Sequence, residues 1–265
     1  MTAGNNIKIE IRDLTMAYGS FVVMRDINAQ VRRGEVFVIM GGSGCGKSTL
    51  LRHMIGLKEP TQGDIFYDGA SFWKSDEEAR QQKLRSFGVL FQGGALWSSM
   101  TLAENIGLVL GEYTEFPPAE IREIARLKLA LVGLKGFEDY YPAEISGGMC
   151  KRAGLARALA LDPDVLFFDE PSAGLDPISS RNLDELILHL RDSLGATFVV
   201  VTHELASIFT IADNSVFLDP TTRTMRAQGN PRELLKHSTD PAVQQFLTRG
   251  EAAAHPAATP SVQPA

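Results

Sequence analysis

The sequence contains little cysteine and no long apolar run. Its two cysteines stand at positions 45 and 150, and a disulfide at Cys45 would block the glycine-rich loop around it, which favours a reducing, cytoplasmic compartment. No apolar run approaches the roughly 18 residues that a membrane-spanning helix needs. The first residues lack the basic and apolar regions of a secretory signal. The chain is therefore expected to reach a membrane only by docking onto other subunits.

The chain also lacks an excess of positive charge. It has 26 lysines and arginines against 32 acidic residues, so its formal net charge is −6. A general nucleic-acid binder neutralises phosphates with basic side chains, and this charge balance argues against one. The rest of the composition is typical of globular proteins, with 44% hydrophobic and 22% charged residues. Together with a length of 265 residues, it predicts one large domain with a hydrophobic core.

Residues 41–49 carry the strongest motif, Gly-Gly-Ser-Gly-Cys-Gly-Lys-Ser-Thr, which fits the phosphate-binding loop pattern. An apolar run at residues 36–40 predicts a buried parallel strand before the loop, and a helix is predicted after it. In that context the loop N–H groups surround an anion, Lys47 reaches the β- and γ-phosphates, and the Ser48 hydroxyl ligates Mg²⁺. The candidate nucleotide-binding residues are Gly41, Gly42, Ser43, Gly44, Cys45, Gly46, Lys47, Ser48 and Thr49.

Three other predicted core strands are followed by side chains that can do chemistry. Gln92 follows one apolar run, Asp169 and Glu170 follow a second, and His203 follows a third. Because ligands gather at the carboxyl ends of parallel strands, these side chains are expected to meet. Adjacent carboxylates repel each other without a cation, so Asp169 is expected to hold Mg²⁺ and Glu170 to take a proton from water. The Gln92 amide can ligate Mg²⁺, orient water or cap its strand, and the sequence leaves these open.

Two further features remain ambiguous from the residues alone. Tyr18 precedes a glycine and is either a turn or core residue or an aromatic platform for a base. Residues 146–148, Ser-Gly-Gly, open a helix and make either an ordinary cap or a second anion site. Residues from about 98 to 160 lack β-branched runs, which predicts an all-helical insertion. The helix N-terminus after the loop is expected to lower the pKa of the Cys45 thiol.

In this order, the motifs resemble those of the nucleotide-binding subunit of ATP-binding-cassette (ABC) transporters. The resemblance implies an α/β P-loop NTPase (RecA-like) fold with an antiparallel β edge sheet and an inserted α-helical subdomain. It implies a domain over residues 7–247, while the alanine- and proline-rich residues 248–265 are expected to be disordered. The roles it implies are adenine stacking for Tyr18, the glutamine loop for Gln92, the signature for Ser146, Gly147 and Gly148, the paired carboxylates for Asp169 and Glu170, the D-loop for Asp176 and the switch histidine for His203.

The same resemblance implies ATP and Mg²⁺ as cofactors and a head-to-tail dimer of two copies. Each ATP would lie between the phosphate loop of one copy and the signature of the other. Catalysis is then expected to fall to Glu170, His203, Lys47 and Gln92, and metal binding to Ser48, Gln92 and Asp169.

Four segments narrow the subfamily, because they look like those of the ATPase in maintenance-of-lipid-asymmetry (Mla-type) systems. They are Ser-Gly-Gly-Met at 146–149, where glutamine is the usual last residue, Phe-Gln-Gly-Gly-Ala-Leu at 91–96, Glu-Pro-Ser-Ala-Gly-Leu-Asp-Pro at 170–177, and residues 240–247. This implies phospholipid transport between inner and outer membranes, at the cytoplasmic face of the inner membrane. The implied partners are a permease, an MCE-type lipid-binding subunit and a small STAS-domain regulator, without nucleic acid. Related solvent-tolerance or steroid transporters and, more distantly, a non-transport ABC ATPase are the alternatives.

Overall fold

The computed structural model describes residues 6–250, whose strands form two sheets. The strands are β1 (Ile7–Tyr18), β2 (Phe21–Arg32), β3 (Val36–Gly41), β4 (Gln62–Tyr67), β5 (Ala70–Ser71), β6 (Phe87–Leu90), β7 (Val165–Asp169), β8 (Thr197–Val201), β9 (Asn214–Asp219) and β10 (Thr224–Gly229). The first sheet is antiparallel, in the order β2-β1-β4-β5. The second has the order β10-β9-β3-β8-β7-β6 and is parallel except for the β9–β10 hairpin.

Helices cover the faces of the second sheet and fill one long connection. They are α1 (Lys47–Met54), α2 (Glu77–Arg85), α3 (Leu102–Tyr113), α4 (Pro118–Leu131), α5 (Gly147–Ala158), α6 (Pro177–Leu194), α7 (Leu205–Ile211), α8 (Pro231–His237) and α9 (Pro241–Leu247), with a short 3-10 helix at Pro142–Glu144. This arrangement agrees with the predicted α/β fold, its antiparallel edge sheet and its helical insertion.

Strand β3 lies at the centre of the molecule and is buried along its whole length. It pairs in parallel with β8 on one side and β9 on the other. Its side chains alternate, so that Val36, Val38 and Met40 join one apolar cluster while Phe37 and Ile39 join the other. This alternation is the two-residue period of a strand whose faces are both covered. The carboxyl ends of β3, β6, β7 and β8 therefore share one edge.

The helical insertion, α3 to α5, lies between β6 and β7 in the chain. Thr101 begins α3 with a capping box, in which its hydroxyl accepts from the Glu104 N–H and the Glu104 carboxylate accepts from the Thr101 N–H. In α4 the apolar residues that recur with helical spacing do not all lie on the buried face of the helix. Leu127 and Leu131 are 65% and 46% exposed, whereas Lys128 is buried because it pairs with Asp162.

Within residues 6–250, no helix is both long enough and apolar enough to cross a bilayer. The tail expected to be disordered spans residues 248–265, and its residues 251–265 lie outside the described part of the chain.

Candidate active site

The glycine-rich loop joins β3 to α1 and contains two kinds of glycine. Gly41 has φ 151°, and a Cβ there would lie 2.5 Å from the Leu218 carbonyl oxygen and 2.7 Å from the Cys45 sulfur. Gly46, at φ 97°, would place a Cβ 2.9 Å from the Val23 side chain. At Gly42 and Gly44, by contrast, an added Cβ meets nothing within 4 Å. The close contacts explain glycine at positions 41 and 46, and a φ of 74° favours it at position 44, while Gly42 and Gly44 leave open space beside the loop backbone.

Lys47 and Ser48, in the first turn of α1, point toward the sheet edge. The buried Lys47 ammonium donates to the carbonyl oxygens of Gly41 and Gly42 at 3.0 and 3.1 Å, and it lies 3.8 Å from Oε1 of Glu170. The Ser48 hydroxyl donates to Oδ1 of Asp169 at 2.8 Å. The strand-end pair Asp169–Glu170 therefore faces the loop, as the sequence led us to expect.

Glu170 has an unusual backbone and an unusual side-chain environment. Its φ is 49°, in the left-handed region that costs a non-glycine residue free energy. Its N–H donates to the Val201 carbonyl at 2.8 Å, which holds that conformation. Oε1 accepts from Nδ1 of His203 at 2.8 Å, whereas the buried Oε2 has no hydrogen-bond partner among the described residues. The carboxylate thus keeps one oxygen available to another group.

The other two strand-end residues lie nearer to solvent. His203 comes two residues after β8 and its side chain is 58% exposed, although it reaches Glu170. Gln92 comes two residues after β6 and is exposed. Its backbone carbonyl accepts a hydrogen bond from Lys151, but its amide group joins none of the hydrogen bonds among Lys47, Ser48, Asp169 and Glu170 within the described residues. Its sequence-based role stays a prediction.

The residues present fit a nucleotide phosphate with a divalent cation. The open side of Gly42 and Gly44 leaves room for phosphate oxygens, and the first amides of α1 are directed to the same place. Ser48 and Asp169 supply the hard oxygen donors that Mg²⁺ prefers. Among residues 6–250, no group of three or more His, Cys, Asp or Glu side chains could hold a metal by itself. Water and phosphate oxygens are the other ligands that Mg²⁺ commonly takes.

Tyr18 ends β1 and lies beside α1. Its ring is 46% exposed, and the Lys58 ammonium sits 3.7 Å from the ring centroid, so one face of the ring is covered by a cation. Hydrogen bonds with Arg52 and then Thr49 lower the pKa of its phenol. Thr49 belongs to the same first turn as Lys47, so the ring borders the loop and is not a core residue.

The second candidate anion site has a different character. Ser146 begins α5 and its hydroxyl accepts from the Met149 N–H at 3.3 Å, while an added Cβ at Gly147 would meet nothing within 4 Å. Asp176 begins α6 and accepts from the N–H groups of Ile178 and Ser179 at 3.0 Å each. Ser146, Gly147 and Asp176 are exposed, and none of the described contacts joins them to the phosphate loop.

The expectation for Cys45 was wrong. The side chain is 1% exposed, and burial raises the pKa of its thiol, with the nearby Lys47 charge opposing that shift less strongly. The loop packs Cys45 inward against Gly41, so loss of hydration outweighs the effect of the helix N-terminus. Both cysteines are free thiols.

Lys151 and Arg157, on α5, were not singled out from the sequence. They donate to backbone carbonyls of the loop that contains Gln92, across separations of 59 or more positions. Basic residues on a helix usually face solvent, so their residue type did not indicate this contact. The only indication in the sequence was the three-residue spacing of Lys151, Gly154 and Arg157, which can place residues on one face of a helix.

Comparison with known proteins agrees with this geometry. The family described as ABC transporter matches residues 24–173. A probable ribonucleotide transport ATP-binding protein, mkl of Mycobacterium tuberculosis, is 43% identical over 91% of this chain, which spans 66% of that relative's length. The intermembrane phospholipid transport ATP-binding protein MlaF of Haemophilus influenzae is 39% identical, with 93% of this chain and 92% of the relative covered. The ATP-binding cassette MJ0796, solved as a post-hydrolysis dimer with ADP and phosphate, has a TM-score of 0.75 at 27% identity, covering 84% and 98% of the two chains.

Proposed function

This chain belongs to the ABC transporter family as an ATP-binding subunit, and from that membership and its site we propose that it hydrolyses ATP to drive phospholipid transport. The single observation that carries the hydrolytic proposal is the Glu170 carboxylate. Its Oε1 is held by His203 at 2.8 Å and lies 3.8 Å from the Lys47 ammonium, whereas its Oε2 is buried and has no hydrogen-bond partner among the described residues. A carboxylate so placed can accept the proton of an attacking water.

The proposed roles of the other residues follow from their positions. Lys47 neutralises phosphate charge from the base of the loop, and the amides of residues 41–49 donate to phosphate oxygens. His203 fixes the orientation of the Glu170 carboxylate and lies exposed at the edge of the site, where it can contact a γ-phosphate. Gln92 is proposed to sense that phosphate, and Tyr18 to stack on the adenine with its uncovered face.

Ser48 and Asp169 are the residues that would hold Mg²⁺, with Gln92 as a third oxygen donor. When bound, Mg²⁺ supplies positive charge that stabilises the leaving and transferred phosphates. The 2.8 Å hydrogen bond between Ser48 and Asp169 keeps both oxygens directed to one point.

We propose that a second copy of the chain completes the ATP-binding site. The exposed Ser146 and Gly147, with the partly buried Gly148, would contact the γ-phosphate bound by the partner, and Asp176 would face the partner's loop. The dimeric cassette MJ0796 supports this arrangement. The permease is the membrane-embedded partner, so that this subunit sits at the cytoplasmic face of the inner membrane.

The phospholipid cargo is supported by the similarity to MlaF and by the Ser-Gly-Gly-Met segment at 146–149. In that system an MCE-type lipid-binding subunit and a STAS-domain regulator are the proposed further partners. The mycobacterial relative is named for ribonucleotide transport, which makes ribonucleotides a competing cargo. Steroid or solvent transport is a third possibility for the same subunit.

The test is reconstitution of the full complex in vesicles after co-purification of this chain with its permease. We expect ATP-dependent movement of a fluorescent phospholipid, and no movement with Glu170→Gln, whose turnover should fall by about 10²- to 10⁴-fold. Radiolabelled ribonucleotide and steroid are the alternative cargoes. Movement of either in place of phospholipid would reject the lipid proposal, and near-normal turnover of Glu170→Gln would reject Glu170 as the base.

A further inference from the structure

Two cations cover exposed aromatic rings at the tip of the β1–β2 hairpin. Tyr18 and Phe21 face each other across its two-residue turn, and they are 46% and 56% exposed. The Lys58 ammonium lies 3.7 Å from the centroid of the Tyr18 ring, and Cζ of Arg223 lies 4.9 Å from the centroid of the Phe21 ring. At these distances a cation is attracted to the electron-rich face of an aromatic ring. Each ring therefore has one face covered by a positive charge.

The Tyr18 ring is held by α1, the helix that the phosphate loop leads into. Arg52 and Thr49 of this helix form hydrogen bonds with the Tyr18 hydroxyl. Lys58 lies four residues after the end of α1 and is half-buried. The hydroxyl and one face of the ring are thus held by a single helix and the turn that follows it. An aromatic ring held in this way keeps a fixed distance from the phosphate loop.

A buried histidine fixes the turn that carries Lys58. His53, in the last turn of α1, is fully buried, and its Nδ1 contacts the Lys58 carbonyl oxygen. Burial lowers the pKa of this imidazole, so the ring is neutral at neutral pH. Nδ1 then carries the hydrogen, because a carbonyl oxygen only accepts. Gly56 turns the chain at φ 78° between the two residues. The Lys58 backbone is therefore held from inside the protein while its ammonium reaches the ring.

A cation on one face of an aromatic ring changes what the other face binds. It draws electron density from the ring, and a ring with less electron density stacks more strongly on an electron-rich purine. It also holds the ring in place at an exposed hairpin tip, so less conformational entropy is lost when a base binds. Under the proposed function, on which this inference rests, the uncovered face of Tyr18 receives the adenine.

We propose that Lys58 is a positioning residue for the nucleotide base, which holds and polarises the Tyr18 ring at a fixed distance from the phosphate loop. The ligand class is a purine nucleoside diphosphate or triphosphate. Because Lys58 acts on the ring that receives the base, its loss weakens the binding of nucleotides and leaves the binding of a polyphosphate without a base unchanged. Arg223, which lies between β9 and β10, covers the neighbouring ring and has no such role.

The test measures the affinity of the full-length chain for ADP and for inorganic tripolyphosphate, by calorimetry with Mg²⁺ present. Lys58→Met keeps most of the side-chain length and removes the charge. We expect the affinity for ADP to fall about fivefold, as loss of a partly exposed cation–π contact predicts, and the affinity for tripolyphosphate to stay unchanged. Lys58→Arg keeps a cation over the ring and should bind ADP as the parent does. Equal losses for the two ligands would mean that Lys58 acts through long-range charge, which overturns the proposal.

A double-mutant cycle establishes whether Lys58 acts through Tyr18. In a chain that carries Tyr18→Leu, which removes the aromatic ring, Lys58→Met should cause no further loss of ADP affinity. A general effect of Lys58 on folding or on charge would instead persist in that chain. The same fivefold loss with and without the Tyr18 ring therefore contradicts the proposal.

The matched control is Arg223→Met, which removes the cation over Phe21 and the same amount of charge from the hairpin tip. It should leave the affinity for ADP unchanged, and losses equal to those of Lys58→Met overturn the proposal. Thermal melting of each variant checks folding, and Lys58→Gln supplies a second test if Lys58→Met does not fold. Weaker ADP binding in Tyr18→Leu but not in the Lys58 variants rejects the role of Lys58 alone. Parent-like ADP binding in Tyr18→Leu rejects the stacking proposed for Tyr18 as well.

Discussion

The two candidate anion sites of this chain differ in how much of their structure the chain itself supplies. At the phosphate loop, Lys47 is buried and bonded to two carbonyls, and Ser48 is bonded to Asp169. At the signature, Ser146 is exposed and bonds only its own helix, while Gly147 faces open space. The first site is preorganised within one copy, whereas the second is proposed to gain its contacts from another molecule. Binding a nucleotide and hydrolysing it are therefore expected to require different oligomeric states.

The largest effect is expected from Lys47→Ala compared with Ser146→Ala. Lys47→Ala should weaken ADP and ATP binding by about 10- to 100-fold, because a charged donor to phosphate is lost. Ser146→Ala should leave ADP affinity unchanged in the single copy and weaken only ATP-driven dimerisation. Calorimetry and ultracentrifugation measure the two quantities. The comparison between the sites breaks down if both variants lose ADP binding equally.

The glycines sharpen the same contrast. Gly41→Ala would place a Cβ 2.5 Å from the Leu218 oxygen at φ 151°, so we expect a loss of several kcal/mol in the free energy of unfolding, at the strong end of single substitutions. Gly147→Ala has free space at the first position of α5 and should be neutral or stabilising by up to about 1 kcal/mol. Urea unfolding provides both values. A large destabilisation by Gly147→Ala would mean that the signature site is already packed.

A smaller, pH-dependent effect is expected at Asp184, a buried residue of α6. Asp184 accepts a hydrogen bond from Ser207 of α7 at 2.8 Å; α6 follows Asp176 of the second site, and α7 follows His203 of the first. Burial raises the pKa of Asp184 from 3.8 to about 6. The folded state then binds a proton more tightly than the unfolded state, so this contribution to stability is full below about pH 4 and is lost as pH rises through 6.

Asp184→Asn removes that titration. The measured quantity is the free energy of unfolding of the variant minus that of the parent. We expect this difference to be about 1–3 kcal/mol more favourable to the variant at pH 8 than at pH 4. Chemical unfolding at the two pH values measures it. A difference that does not change with pH would show that folding does not raise the pKa of Asp184.

The smallest expected effect is a difference in the rates at which the two thiols are labelled. Cys45, in the first site, is 1% exposed, whereas Cys150, just beyond the signature, is half-buried and donates to the Pro142 carbonyl at 3.4 Å. Burial raises the pKa of both thiols, so exposure decides their rates. Iodoacetamide should label Cys150 first, as peptide mass spectrometry can establish. Faster labelling of Cys45 would indicate that the loop opens in solution.

Features set by local sequence were predictable, and features set by distant contacts were not. The strand before the loop, the Thr101 cap and the gathering of Asp169, Glu170 and Lys47 at one sheet edge follow from short patterns and the topology of parallel strands. The burial of Cys45 depends on its packing against Gly41 beneath Leu218, which lies in a strand far away in sequence. The link from Lys151 to Gln92 likewise spans 59 positions.

The left-handed backbone of Glu170 affects which variants of this chain can accumulate. At φ 49° a glycine or asparagine has a lower conformational free energy than a glutamate, so folding and activity favour different residues at this position. Selection for abundant, well-folded protein alone would drift toward Glu170→Gly, a chain that we expect to bind nucleotide but to turn it over slowly. A screen that reports only expression or solubility would therefore enrich inactive sequences, and only a screen that couples survival to transport would retain the glutamate.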